Sequence, residues 1–308
     1  MREDGLLTLK HTVANPQAPV EERVSIYDQF VALHGAVMGM RTPAASNANF
    51  GHNNDLFLPW HRQYLMDFET ELHKVDSEGA IPYWDWTQRQ QTRSRLFSNN
   101  FLGLIAERQL HLVGGHFAQD APANPPQWWP AGFDGWKVRI EFQPPNWRQL
   151  PSDIRQSLIR AGDSATNLST SPQINAIVDQ VPDYLSFRII IEGGQQSVGI
   201  RTHNSGHNWV GGHMATGFSP IDPVFFMHHA NVDRIWARWQ ANGHADDLPQ
   251  TLFPGVDRDE PMWPWVGNAP GYRINNAEIS DLVRDHTGDA LVSADDILDT
   301  AGLPYDYA

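Results

Sequence analysis

The sequence predicts a mainly α-helical fold with long loops and a few short strands. Three observations lead there. Apolar residues recur at helical spacing in three separate stretches, the connections between them are rich in Pro, Gly and Trp, and no internal repeat at a fixed period is present. With 308 residues, 41% hydrophobic and only 19% charged, the chain can bury a sizeable core, so disorder is excluded as a description of the whole. Neither the N-terminal nor the C-terminal half looks self-sufficient, and a single domain over residues 1–308 is expected.

Taken in order, Val20, Val24, Tyr27, Val31, His34 and Met38 form one stripe at spacings of four and three, the mark of a first amphipathic helix. A second helix is expected over about residues 59–75. Trp60, Tyr64, Leu65, Phe68, Leu72 and Val75 would be its buried side, and Pro59 suits the first turn. The third has clear punctuation: Asp222 can cap, Pro223 fits the first helical position and Gly243 can end it. Phe225, His229, Val232, Trp236 and Trp239 then face one way. A shorter helical piece carries His203 and His207. Residues 121–145, 161–173 and 253–271 read as loops, and short strands are expected at 136–142 and 187–191.

The charge balance narrows the function. There are 22 basic and 36 acidic residues, a net charge of −14, which argues against general affinity for nucleic acid or an anionic membrane surface. There is no cysteine, which excludes disulfides, thiolate zinc sites, iron–sulfur clusters and cysteine nucleophiles. A bound transition metal would have to use histidine, carboxylate or thioether. No apolar run approaches membrane-spanning length, and the N-terminus shows no basic start followed by an apolar run. The expectation is a cytoplasmic protein as written, or one exported by a route not visible in the sequence.

Attention therefore falls on the 14 histidines. Two sets stand apart: His34, His52 and His61, and His203, His207 and His229. His203 and His207, four apart, would share a helix face. His228 and His229 are neighbours, about 100° apart on a helix, so only one can face a shared centre. Three neutral imidazoles suit copper or zinc with a position left open for a reactant. The Asn204-Ser205-Gly206 spacer lacks the Glu of the zinc-protease pattern. His11, His73, His111, His116, His244 and His286 read as ordinary surface or core residues.

The run His52-Asn53-Asn54-Asp55-Leu56-Phe57-Leu58-Pro59-Trp60-His61-Arg62 resembles the first copper motif of the tyrosinase family. The runs from His203 to Gly212 and from Ser219 to Ala230 resemble its second. Pro82-Tyr83-Trp84-Asp85-Trp86 matches a further signature, and Ile297-Leu298-Asp299 with Tyr305 resembles the end of short bacterial members. The first copper motif spans about 20–75 and the second about 187–242.

The resemblance implies a four-helix bundle housing a binuclear type 3 copper centre. His34, His52 and His61 would hold one copper, and His203, His207 and His229 the other. His228 would stand behind the ligands, with Asp233 a candidate to orient His229. The implied activity is oxidation of phenols by O2: ortho-hydroxylation of monophenols and oxidation of o-diphenols to o-quinones. An o-diphenol or o-aminophenol oxidase without hydroxylation is the alternative, and a reversible oxygen carrier a more remote one. A free phenol has a pKa near ~10, so a base near copper would help hydroxylation. By the same resemblance, Asn204 and Glu192 would hold a water for that step. Asn208, Gly217 and Arg201 would line the substrate entrance, and a copper-delivery helper protein is a possible partner. Phe50 occupies one place where some family branches carry the cysteine of a cysteine–histidine thioether. The His52 loop, lacking that bond, is expected to be the softest part of the site.

Overall fold

The computed structural model describes residues 3–88, 96–105, 111–162, 167–193, 202–300 and 307. Its described residues form seven α-helices: α1 Glu3–His11, α2 Ile26–Val37, α3 Phe57–His73, α4 Ser171–Gln180, α5 Tyr184–Glu192, α6 His203–Val210 and α7 Val224–Trp239. Three short antiparallel pairs accompany them. Met40–Arg41 pairs with Arg273–Ile274, His111–Leu112 with Ile159–Arg160, and Thr251–Phe253 with Val256–Asp257. Helices α3 and α7 pack along one another, α6 lies against α7, and α1 against α2 and α3. One contiguous apolar core runs from Leu6 to Leu298. No helix among the described residues is long and apolar enough to cross a membrane.

Local chemistry sets the helix ends. The stripe beginning at Val20 starts as a helix only at Ile26. Ser25 is extended and its hydroxyl accepts from the Asp28 amide, so the cap lies later than the apolar spacing suggests. Val20 sits in a separate 3-10 turn and is 73% exposed. Helix α3 runs two residues ahead of the expected range at both ends. At α7 Pro223 is the N-cap and Asp222 stands before it, its Oδ1 accepting from the Val224 amide at 3.1 Å. Asp222 also holds the buried Arg160 guanidinium through two bonds, at 2.6 and 2.7 Å.

Neither expected strand forms. Residues 187–191 belong to α5. Asp183 caps its start, and Gly193 ends it at φ 82°, a conformation that favours glycine. This local punctuation outweighs the β-preference of three consecutive isoleucines. Residues 136–139 form no strand and lead into a 3-10 turn at Ile140–Phe142.

Candidate metal centre

Four helices and one loop bring the two histidine sets together. His34 comes from α2, His61 from α3, His203 and His207 from α6 and His229 from α7. His52 stands on the loop before α3. One group is His34, His52 and His61. The other is His203, His207 and His229 with His228, and within each group one ligand-capable nitrogen per residue lies within 4.8 Å of the rest. The groups face each other: His61 and His229 stack with centroids 4.2 Å apart, and His52 and His203 lie 5.9 Å apart.

Most of these rings are aimed by hydrogen bonds from Nδ1. His34 donates to the Gly217 carbonyl at 2.8 Å, His61 to the Phe57 carbonyl at 2.8 Å and His207 to the Met214 carbonyl at 2.5 Å. His203 donates to Asn204 Oδ1 at 2.9 Å, and Asn204 is itself anchored through Nδ2 on the Gly193 carbonyl. An oxygen acceptor forces the proton onto Nδ1 and leaves Nε2 bare. Two such bare nitrogens, on His203 and His207, lie 3.0 Å apart, and His229 Nε2 is 3.3 Å from His203 Nε2. His34 Nε2, His61 Nε2, His52 Nδ1 and His229 Nδ1 are buried without a partner.

Burial drives the basicity of all six down. It takes His34 and His207 to about 4, with the other four also well below the ordinary imidazole value. For His52, His61, His203 and His229 the next contribution comes from neighbouring imidazoles. Neutral, converging, unpartnered imidazoles with no carboxylate or sulfur among them suit a borderline transition-metal ion.

His228 differs in kind. The Trp86 indole N–H donates to its Nδ1 at 3.0 Å. An indole only donates, so the neutral ring carries its proton on Nε2 and has no free lone pair for a metal. Trp86 lies 142 residues from His228 in the sequence, and no local pattern links the two. Asp233 does not orient His229. Its Oδ1 accepts from Arg62 Nε at 2.6 Å and its Oδ2 from the Tyr307 hydroxyl at 2.7 Å, while His229 Nδ1 has no partner.

Glu192 is 3% exposed, and burial raises its pKa. Its Oε1 accepts from the Asn53 amide at 2.6 Å, and its Oε2 lies 3.4 Å from Arg188 Nη1. Its backbone carbonyl is 3.3 Å from His203 Nδ1, so it borders both groups of histidines. Asn208 is exposed, next to the half-buried His207 on α6. Gly217 matters through its carbonyl on His34; a Cβ there would meet only the Met38 side chain. Arg201 and Tyr305 lie outside the described residues. The His52 loop is held by hydrogen bonds and packing. Asn54 Nδ2 donates to the Asn49 and His52 carbonyls, Asn54 Oδ1 accepts from Leu56, and Phe50 is buried against Phe253.

Residues 24–242 match the model of the common central domain of tyrosinase. The chain belongs to the tyrosinase family. It is 34% identical over 280 residues to a tyrosinase of Streptomyces antibioticus, covering 87% of this chain and 90% of that one. To a tyrosinase of Streptomyces glaucescens it is 37% identical over 253 residues, covering 81% and 85%. Among solved structures it resembles a polyphenol oxidase from Thermothelomyces thermophila, with a TM-score of 0.54 and 25% identity over 80% of this chain and 68% of that one. The tyrosinase family is a family of type 3 dicopper proteins, and the chain is an enzyme of copper-dependent phenol oxidation. The oxygen-carrier alternative is not favoured.

Proposed function

We propose that the chain, folded as one domain, ortho-hydroxylates monophenols and oxidises o-diphenols to o-quinones. In this reading His34, His52 and His61 hold one copper and His203, His207 and His229 the other. The observation that carries it is the 3.0 Å approach of two bare imidazole nitrogens, His203 and His207 Nε2. Two lone pairs at that distance repel unless a cation lies between them, and carbonyl acceptors on both Nδ1 atoms prevent either ring from turning its proton inward. When bound, the copper pair supplies the electron transfer and activates O2.

The protein's part is to hold, orient and exclude. Helix α7 presents His229 to the centre while Trp86 withdraws His228. Phe225, its ring 4.9 Å from His34 and 4.2 Å from His229, closes the floor and keeps water out. The phenol would enter past Asn208 and Gly217, and Arg201 is proposed to contribute at the same rim. Glu192 has lone pairs left beyond its bonds to Asn53 and Arg188. We assign to it, with Asn204, a water that takes the phenol proton. A copper-delivery helper protein would approach the same rim; nucleic acid is not expected to bind, given the net charge of −14.

Oxygen uptake by copper-loaded protein on a monophenol, its o-diphenol and an o-aminophenol tests the reading. Uptake on all but the monophenol would overturn the hydroxylation step. Asn204→Ala and Glu192→Gln are expected to lower monophenol turnover more than diphenol turnover. Equal losses on both substrates would remove the water-holding role.

A further inference from the structure

Helix α5 meets the His52 loop at three points. The Tyr184 hydroxyl donates to the Asp55 carbonyl at 2.8 Å. Arg188 holds Asp55 Oδ1 at 3.0 Å and, with Nη1, lies 3.4 Å from Glu192 Oε2. Glu192 Oε1 in turn accepts from the Asn53 amide at 2.6 Å. One buried guanidinium thus spans two carboxylates, each engaged with the loop segment that immediately follows His52. Asn53 has φ 58°, the only non-glycine among the described residues in the left-handed region. Such a residue costs on the order of 1 kcal/mol and persists only where its surroundings fix it. Among the described residues the His52 ring makes no hydrogen bond and its Nδ1 is buried without a partner, so its position depends on the backbone that carries it.

We propose that Arg188 is a positioning residue for the first copper: bridging Asp55 and Glu192, it clamps the His52 loop onto α5. Without Arg188 the two carboxylates lose the cation between them, Glu192 withdraws from the Asn53 amide, and the left-handed turn relaxes. His52 then leaves the line of His34 and His61, while His203, His207 and His229, held by other elements, keep theirs. The inference rests on His52 being a copper ligand.

The test compares Arg188→Met, Arg188→Lys and Tyr184→Phe with the unaltered chain. In metal-free protein, hydrogen exchange at the Asn53 and Asp55 amides is expected to rise about 10-fold or more in Arg188→Met. Exchange at the amides of α7 should be unchanged. In copper titrations against a competing chelator, one of the two coppers should weaken by about 10- to 100-fold and the other hold. Arg188→Lys, which keeps the charge but not the fork, should recover part of both effects. Should Arg188→Met fail to fold, Tyr184→Phe, which leaves the charges alone, is expected to show the exchange change in smaller measure. Unchanged exchange at Asn53 and Asp55, or equal weakening of both coppers, would overturn the clamp. His52→Ala separates the two ideas: if it still binds two coppers, the ligand assignment fails, while the exchange result stands on its own.

Discussion

The ring of Phe218 lies so close to the backbone of Gly35 that a Cβ built on Gly35 would stand 2.2 Å from it. Gly35 follows His34 on α2, and Phe218 follows Gly217, whose carbonyl aims His34. An alanine in mid-helix gains about 1 kcal/mol over glycine. Here that gain is opposed by overpacking, which costs about 1–3 kcal/mol, because the ring is backed by Phe142 at 5.2 Å. Gly35→Ala is therefore expected to lower the denaturation midpoint and to weaken one copper. Gly39→Ala is the control, since nothing lies within 4 Å of a Cβ there. Equal behaviour of the two variants in thermal melts and copper titrations would show that the Phe218 contact does not set His34.

Trp86 decides which of two adjacent histidines is available to a metal. Trp86→Phe removes the donor to His228 Nδ1 and leaves a buried acceptor unsatisfied, at a cost of about 1–3 kcal/mol. With the bond gone, the proton is free to move to Nδ1 and His228 Nε2 becomes a competing ligand near His203 and His207. Imidazole 15N shifts of the metal-free protein should show one His228 tautomer in the unaltered chain and a mixture in the variant. A single unchanged tautomer together with an unchanged midpoint would sink this account.

What could be read from the sequence depended on whether the cause was local. The spacing of apolar residues, the Asp222-Pro223 start of α7 and the two sets of histidines are local features, and the helices and the gathering of histidines in space follow from them. The atoms that aim the rings are not local. Gly217 lies 183 residues from His34, and it contributes a carbonyl, which has no residue-specific signature. Asp233 was misplaced for a related reason. One helical turn after His229 puts it near the centre, but its carboxylate pairs with Arg62 on another helix. The isoleucine run of α5 has the β-branching of a strand, but the Asp183 cap and the Gly193 stop that bound it set a helix.

Arg62 and Asp233 tie the helices that carry His61 and His229 to the region of Ile297 and Tyr307. Arg62, fully buried, donates to Asp233 at 2.6 Å, to Gln240 Oε1 at 2.9 Å and to the Ile297 carbonyl at 3.1 Å, and lies 3.7 Å over the Trp236 ring. Breaking a buried pair from one side leaves a charge uncompensated and costs about 3–5 kcal/mol, whereas replacing both partners costs far less. Asp233→Leu and Arg62→Met should each be strongly destabilising alone, and the Arg62→Met, Asp233→Leu double variant should recover much of that loss in urea unfolding. Additive losses in the double-variant cycle would mean that the two side chains are not energetically coupled.

The last prediction concerns His213, which is fully buried and is not among the histidines proposed to bind copper. Its Nδ1 accepts from the Ile159 amide at 2.9 Å, so Nε2 carries the proton donated to Gln143 Oε1 at 2.9 Å. The bonding requires the neutral ring. Burial lowers its pKa to about 4 against an ordinary 6.5, partly opposed by the field of Asp222. Between those values the unfolded chain binds a proton that the folded chain refuses, so stability falls as pH falls. The loss begins near pH 6.5, accumulates toward pH 4 and stops growing below it. For this single group it amounts to about 3 kcal/mol. Residues 212–215 form the turn whose Met214 carbonyl aims His207, so acid should loosen that ring as the turn opens. In metal-free protein, urea unfolding across pH 7 to pH 4 should therefore show a steeper loss for the unaltered chain than for His213→Asn, which cannot take up the proton. Parallel pH profiles would mean that His213 does not couple protonation to folding.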